Sequence, residues 1–212
     1  MTARETLLAK VRQGLGRAAG HLPASLAAPR LQIPLSDRNL FTPLFVRNFE
    51  NLGGKSMLVR EAGEVVGALE PLRAGKRVVA SNAPFLADCG ITGLAGVQSG
   101  FTDRDALRAA CVDADIGITS ADYVLADTGT LVLLASPSEA RMISLLPPVH
   151  VAVFPRSRIL TNLDELFGIL PAPAEQTSSM VLITGPSRTA DIEQILVRGV
   201  HGPGEIYAVI VG

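Results

Sequence analysis

Leu7, Leu8, Val11 and Leu15 recur at helical spacing, so residues 3–16 are predicted to form an amphipathic helix. Gly14, Gly16 and Gly20 weaken its end, and residues 21–36, with three prolines, read as a linker running over the surface. Asp37 can cap a second helix whose apolar face uses Leu40, Leu44, Phe45, Phe49 and Leu52, with Gly53 and Gly54 ending it. From there the pattern alternates. Short apolar runs at 56–60, 76–81, 149–155, 178–185 and 205–212 predict strands, and periodic segments at 61–72, 103–114, 162–170 and 187–199 predict helices. Thr102 is a candidate cap for the helix at 103–114. Between Asp115 and Ser136 two apolar runs flank Asp127-Thr128-Gly129, as two strands pausing at a polar turn would.

Alternating strands and helices predict an α/β domain. Its sheet is mostly parallel and covered by helices on both faces, with an antiparallel hairpin-like insertion. The expected organisation is an N-terminal helix and linker over 1–36 and an α/β domain over 37–212. Termini fray unless docked, so the first 34 residues are expected to be the least anchored, with this arm contacting a partner or a second copy.

Composition narrows the function classes. Apolar residues make up 48% of the chain, mostly small or branched, with no Trp and two Tyr. Such side chains suit strands covered on both faces and leave little for aromatic stacking on nucleic acid. The net charge of −1 gives no basic footprint for nucleic acid either. Two cysteines, Cys89 and Cys111, and three scattered histidines, His21, His150 and His201, offer no metal-ligand spacing, so neither a metal site nor an iron–sulfur cluster is expected in this chain. Cysteines in small or apolar company fit a reducing, cytoplasmic setting. The first residues lack the apolar run of a signal peptide, and no stretch is long and apolar enough to predict a membrane span. Gly54-Lys55-Ser56 resembles the end of a phosphate loop, but Phe49 stands where that pattern needs Gly. The glycines between Gly90 and Gly96 are at the wrong offsets for a dinucleotide fingerprint.

Three segments could carry chemistry. Residues 117–130 place Asp122, Asp127, Thr128, Gly129 and Thr130 inside an apolar run. Asp127 either bonds the amides of a tight turn or faces a substrate. With Asp122, Thr128 and Thr130 it is expected near one pocket at the sheet edge. Residues 185–192 follow a predicted strand and open a predicted helix. Gly185 and the free amides there, the hydroxyls of Ser187 and Thr189, and the Arg188 fork suit a carboxylate or phosphate. Asp191 with Gln194 also resembles a capping box. In the loop 199–205, His201 is a candidate general acid or base. A parallel crossover would put it at the sheet edge opposite Arg188, unless the last strand runs antiparallel or the loop folds back.

These three segments, GITSADYVLADTGT, GPSRTADIEQ and GVHGPGE, resemble the lactate utilization protein C or LUD-domain family over about residues 37–212. The resemblance implies the fold of the sugar-phosphate isomerase and CoA-transferase superfamily. It also implies a subunit acting with two iron–sulfur partner proteins in oxidising L-lactate to pyruvate, itself without clusters. A longer relative joins this domain to cluster-binding cysteines, and that version does not fit a chain without CxxC. The resemblance supplies no established catalytic residue. The alternative is an independent enzyme or sensor that binds a small carboxylate, phosphate or CoA-like ligand, as a homo-oligomer or alone.

Overall fold

The computed structural model describes residues 2–16, 37–190 and 196–212. The expected linker and the Asp191–Gln194 capping box fall outside these residues. The helices are α1 (Ala3–Leu15), α2 (Phe41–Asn51), α3 (Val65–Arg73), α4 (Pro84–Asp88), α5 (Arg104–Asp113), α6 (Met142–Leu145), α7 (Leu163–Ile169) and α8 (Pro173–Gln176). The strands are β1 (Lys55–Val59), β2 (Val78–Ala80), β3 (Val97–Gln98), β4 (Ile116–Ser120), β5 (Tyr123–Leu125) and β6 (Thr130–Leu134). They continue with β7 (Val149–Pro155), β8 (Ile159–Leu160), β9 (Met180–Ile183), β10 (Arg188–Ala190), β11 (Leu196–Arg198) and β12 (Glu205–Val211).

Six strands form a wholly parallel sheet in the order β1-β12-β7-β4-β2-β3. Alternate residues divide its faces. Val78, Ala80, Ile116, Ile118, Val151, Val153 and Val209 pack with Val65 and Leu69 of α3 and Leu86 of α4. The opposite face presents Ala152, Phe154, Ile206, Ala208 and Ile210 to α2. The hairpin insertion does not join this sheet. It nucleates a second, mixed sheet in the order β8-β5-β6-β9, so α2 lies between two sheets. The far face of the second sheet, with Leu125, Val132 and Leu160, is covered by Leu166 of α7.

The period-3.6 pattern of α2 explains its place. Phe41, Phe45 and Phe49 fall on one stripe and are buried, while Leu40, expected on the apolar face, is exposed. Phe45 stacks on Phe49 at 5.1 Å between ring centroids and meets Phe154 of β7 edge-on at 5.8 Å. Asp37 does cap this segment, its side chain accepting from the Asn39 amide through one 3-10 turn. Helix α5 is capped by Asp103, not by Thr102, because the Asp103 carboxylate accepts from the Ala106 amide.

Where the sequence predicts a helix over 187–199, the described residues are extended. Residues 188–190 and 196–198 pair antiparallel as a two-stranded hairpin, with Thr189 opposite Val197. Helix α1 exists as expected and buries none of its residues.

Removing the central ring should be costly. Phe45→Ala is expected to lower unfolding stability by about 3–5 kcal/mol, read from urea denaturation. A loss under about 1 kcal/mol would mean that α2 is not the wedge between the sheets.

Candidate functional site

The sequence-predicted residues separate to two ends of the molecule. Asp122 stands at the carboxyl end of β4, where it accepts from the Leu134 amide at 2.7 Å. Asp127 is exposed on the turn that closes the other end of the β5–β6 hairpin. Five residues of extended chain span about 16 Å, so the two carboxylates do not share the one pocket expected from the sequence.

The turn packs on the end of α2. Asn48 Nδ2 donates to the carbonyls of Ala126 and Asp127 at 2.9 and 2.8 Å. Gly129 has φ +63°, and a Cβ there would meet Phe49 N at 2.5 Å, so this close approach requires glycine. Pairing of β6 with β9 lines up three hydroxyls: Thr128 to Thr130 and Thr130 to Thr184, both at 2.8 Å.

Gly185 packs on Leu52, and the Arg188 guanidinium donates to the Leu52 carbonyl. Ser187 donates its amide to Pro203 at 2.9 Å and accepts from the Gly199 amide at 3.0 Å. The loop bearing His201 therefore folds back beside Ser187. Thr128, Gly129, Thr130, Gly185, Ser187 and the His201 loop thus share the amino-terminal edge of the parallel sheet. The helix N-terminus expected to supply anion-binding amides is replaced there by β10, which also holds Thr189.

The carboxyl-terminal edge holds a cluster that sequence reading missed. From β2 the chain turns toward β3 at one edge of the sheet, and from β4 it continues toward β7 on the other side. The crevice between β2 and β4 is thus a topological switch point, where open α/β sheets bind ligands. Glu139, only 5% exposed, fills it. Its Oε2 accepts from Ser81 Oγ at 2.8 Å and from the Ser120 amide at 3.0 Å. Its Oε1 is buried without a partner among the described residues.

Arg158, on the turn after β7, donates from Nη1 to Ser120 Oγ at 2.9 Å and to the Ala121 carbonyl at 2.6 Å, and lies over the Phe85 ring. Beside Ser81, a cavity of about 20 Å³ lined by Asn82, Phe101 and Ser138 has room for about one water.

Burial pushes the Glu139 carboxyl up to about 8, against the opposing pull of the Ser120 amide, the Ser81 hydroxyl and the Arg158 charge. Burial also raises Asp122, opposed by the Leu134 amide and Arg158. At neutral pH Glu139 is mainly the neutral acid, which can give a proton, and its minor ionised fraction can take one.

Some of this cluster was visible in sequence. Ser81 and Asn82 directly follow a strand and Ser120 ends another, and polar residues at strand exits are a usable signal. Glu139 and Arg158 carry no local pattern.

A carboxyl whose pKa is higher folded than unfolded binds more protons in the folded state. Its linkage makes stability fall as pH rises from about 4.5 to about 8 and level beyond. Across that window the native protein should lose on the order of a few kcal/mol relative to Glu139→Gln, measured as urea midpoints at several pH values. Parallel curves for the two proteins would contradict the raised pKa.

A family model described as the LUD domain matches residues 38–211. The chain is 42% identical over 106 residues to lactate utilization protein C of Halalkalibacterium halodurans, covering 48% of this chain and 46% of that protein. It is 44% identical over 100 residues to the protein of that name from Anoxybacillus flavithermus, covering 47% and 44%. These matches span less than half the length of the relatives. The crystal structure of a DUF162 family protein from Deinococcus radiodurans superposes with a TM-score of 0.65 over 84% of this chain and all of that one, at 22% identity, a likeness of fold. The family model covers most of the chain, including both edges described above, and the chain belongs to the LUD-domain family.

Proposed function

We propose that this chain serves lactate utilization as a subunit of a system that oxidises L-lactate to pyruvate, with iron–sulfur clusters carried by its partners. The names of its relatives support the process. The observation that carries the chain's own role is the neutral, buried carboxyl of Glu139 at the switch point of the sheet.

Oxidising a 2-hydroxy acid to a 2-oxo acid removes two electrons and two protons, one of them from the hydroxyl. A group titrating near neutral pH is suited to exchange that proton. In this reading the ionised fraction of Glu139, which grows as pH rises toward 8, accepts that proton through the Ser81 hydroxyl and the adjacent one-water cavity, and Arg158 supplies the positive charge that favours a carboxylate. The two electrons, together with the proton from carbon 2, pass to the partners.

A second reading, an independent enzyme or sensor for a small anion, is favoured by Ser187, Arg188 and the His201 loop lying together at the amino-terminal edge. It is the weaker of the two. The helix that would have aimed its amides there is a hairpin strand, and Arg188 already donates to Leu52.

In the assembled system, Glu139→Gln is expected to slow lactate-dependent reduction by about 10²–10⁴-fold and to remove the limb of the pH–rate profile near pH 8. Glu139→Asp should restore part of the rate. Full activity with an unchanged profile in the Gln variant would overturn the role of Glu139. Failure of iron-containing proteins to co-purify with the chain from native cells would overturn the subunit reading.

A further inference from the structure

The turn that carries Arg158 presents Arg156 and Ser157 to a different space. Together with Arg38, Asn39 and Thr42 they border a pocket of about 310 Å³ between the start of α2 and the exit of β7. Phe41 and Ile159 complete its lining with apolar surface. We propose that this pocket binds a phosphate group, either inorganic phosphate or the head of a phosphate monoester, a site separate from the Glu139 crevice and additional to the function proposed above.

Two features point to a ligand. The first is positive charge from two elements that is only loosely engaged within the protein. Arg156 reaches Asn39 Oδ1 at 3.4 Å, and Arg38 stands 3.8 Å from Glu165 with its own side chain 72% exposed. The other Glu165 oxygen is held by the Thr161 amide at 2.6 Å, and Glu165 is not among the residues that line the pocket. The neighbouring Asp37 carboxylate is spent on the Asn39 amide.

The second feature is Thr42. It lines the pocket, is 6% exposed, and its hydroxyl has no partner. The hydroxyl oxygen has almost no exposed surface, so it meets an incoming oxygen when the side chain turns toward the pocket, which relieves the cost of leaving it unpaired.

Donors on several sides fit a tetrahedral oxyanion better than a planar carboxylate, which one guanidinium fork satisfies. The apolar remainder of the lining leaves room for the organic part of an ester.

Titration of inorganic phosphate and of phenyl phosphate into the full chain, followed by calorimetry, tests this. The native protein should show saturable binding of both if the site takes an ester, and of inorganic phosphate alone if the pocket admits only the free ion. Arg156→Ala should weaken binding about tenfold to a hundredfold, and Thr42→Val roughly twofold to tenfold without loss of folding stability. Phosphate binding should persist in Glu139→Gln, which separates this site from the crevice whatever becomes of turnover. Absence of saturable binding to the native protein, or equal affinity in Arg156→Ala, would overturn the proposal. Lactate binding as tightly as phosphate at this pocket would overturn its assignment to phosphate chemistry.

Discussion

The two bonds to Glu139 Oε2 join parts of the chain that are far apart in sequence. Ser81 leaves β2, Ser120 ends β4, and Glu139 belongs to the loop that follows β6 in the second sheet. The same loop is pinned at Ser138, whose carbonyl accepts from the Asn82 amide at 2.9 Å. A carboxyl buried this deeply is disfavoured as an anion, so the environment selects the neutral form and raises its pKa to about 8. One constraint therefore closes the switch-point crevice and gives it a group that titrates near neutrality.

That constraint needs a rigid frame, which α2 provides. Its phenylalanine stripe fills the space between the six-stranded sheet and the four-stranded sheet. Packing at this density holds side chains in place and transmits strain, so the loop carrying Glu139 is positioned by both sheets together. The same helix orders both ends of the molecule. Its start borders the Arg38–Arg156 pocket, and its end receives the Asp127 turn and Arg188.

Much of the fold was legible because period and length agreed. The strands at β1, β7 and β12 and the helices α2, α3 and α5 follow directly from apolar spacing. The helix expected over 187–199 failed because Ile192, Ile195 and Leu196 also fit a helical period, whereas Thr189 and Val197 pair across a hairpin. Short apolar runs do not distinguish the two conformations. The site was legible only in part. Asp122 and Ser120 lie in a segment singled out by its polar groups, but Asp122 and Asp127 were expected together and stand at opposite ends of one hairpin. Glu139 and Arg158 gain their meaning from strand order, which no local pattern encodes.

The central claim is that Glu139 is a neutral acid at neutral pH, poised to exchange a proton at the sheet's carboxyl edge. Carbon-13 NMR of the side-chain carboxyls, with Glu139 assigned by comparison with Glu139→Gln, measures this directly. The account predicts a titration midpoint near 8. A midpoint near the ordinary value of 4.5 would contradict it.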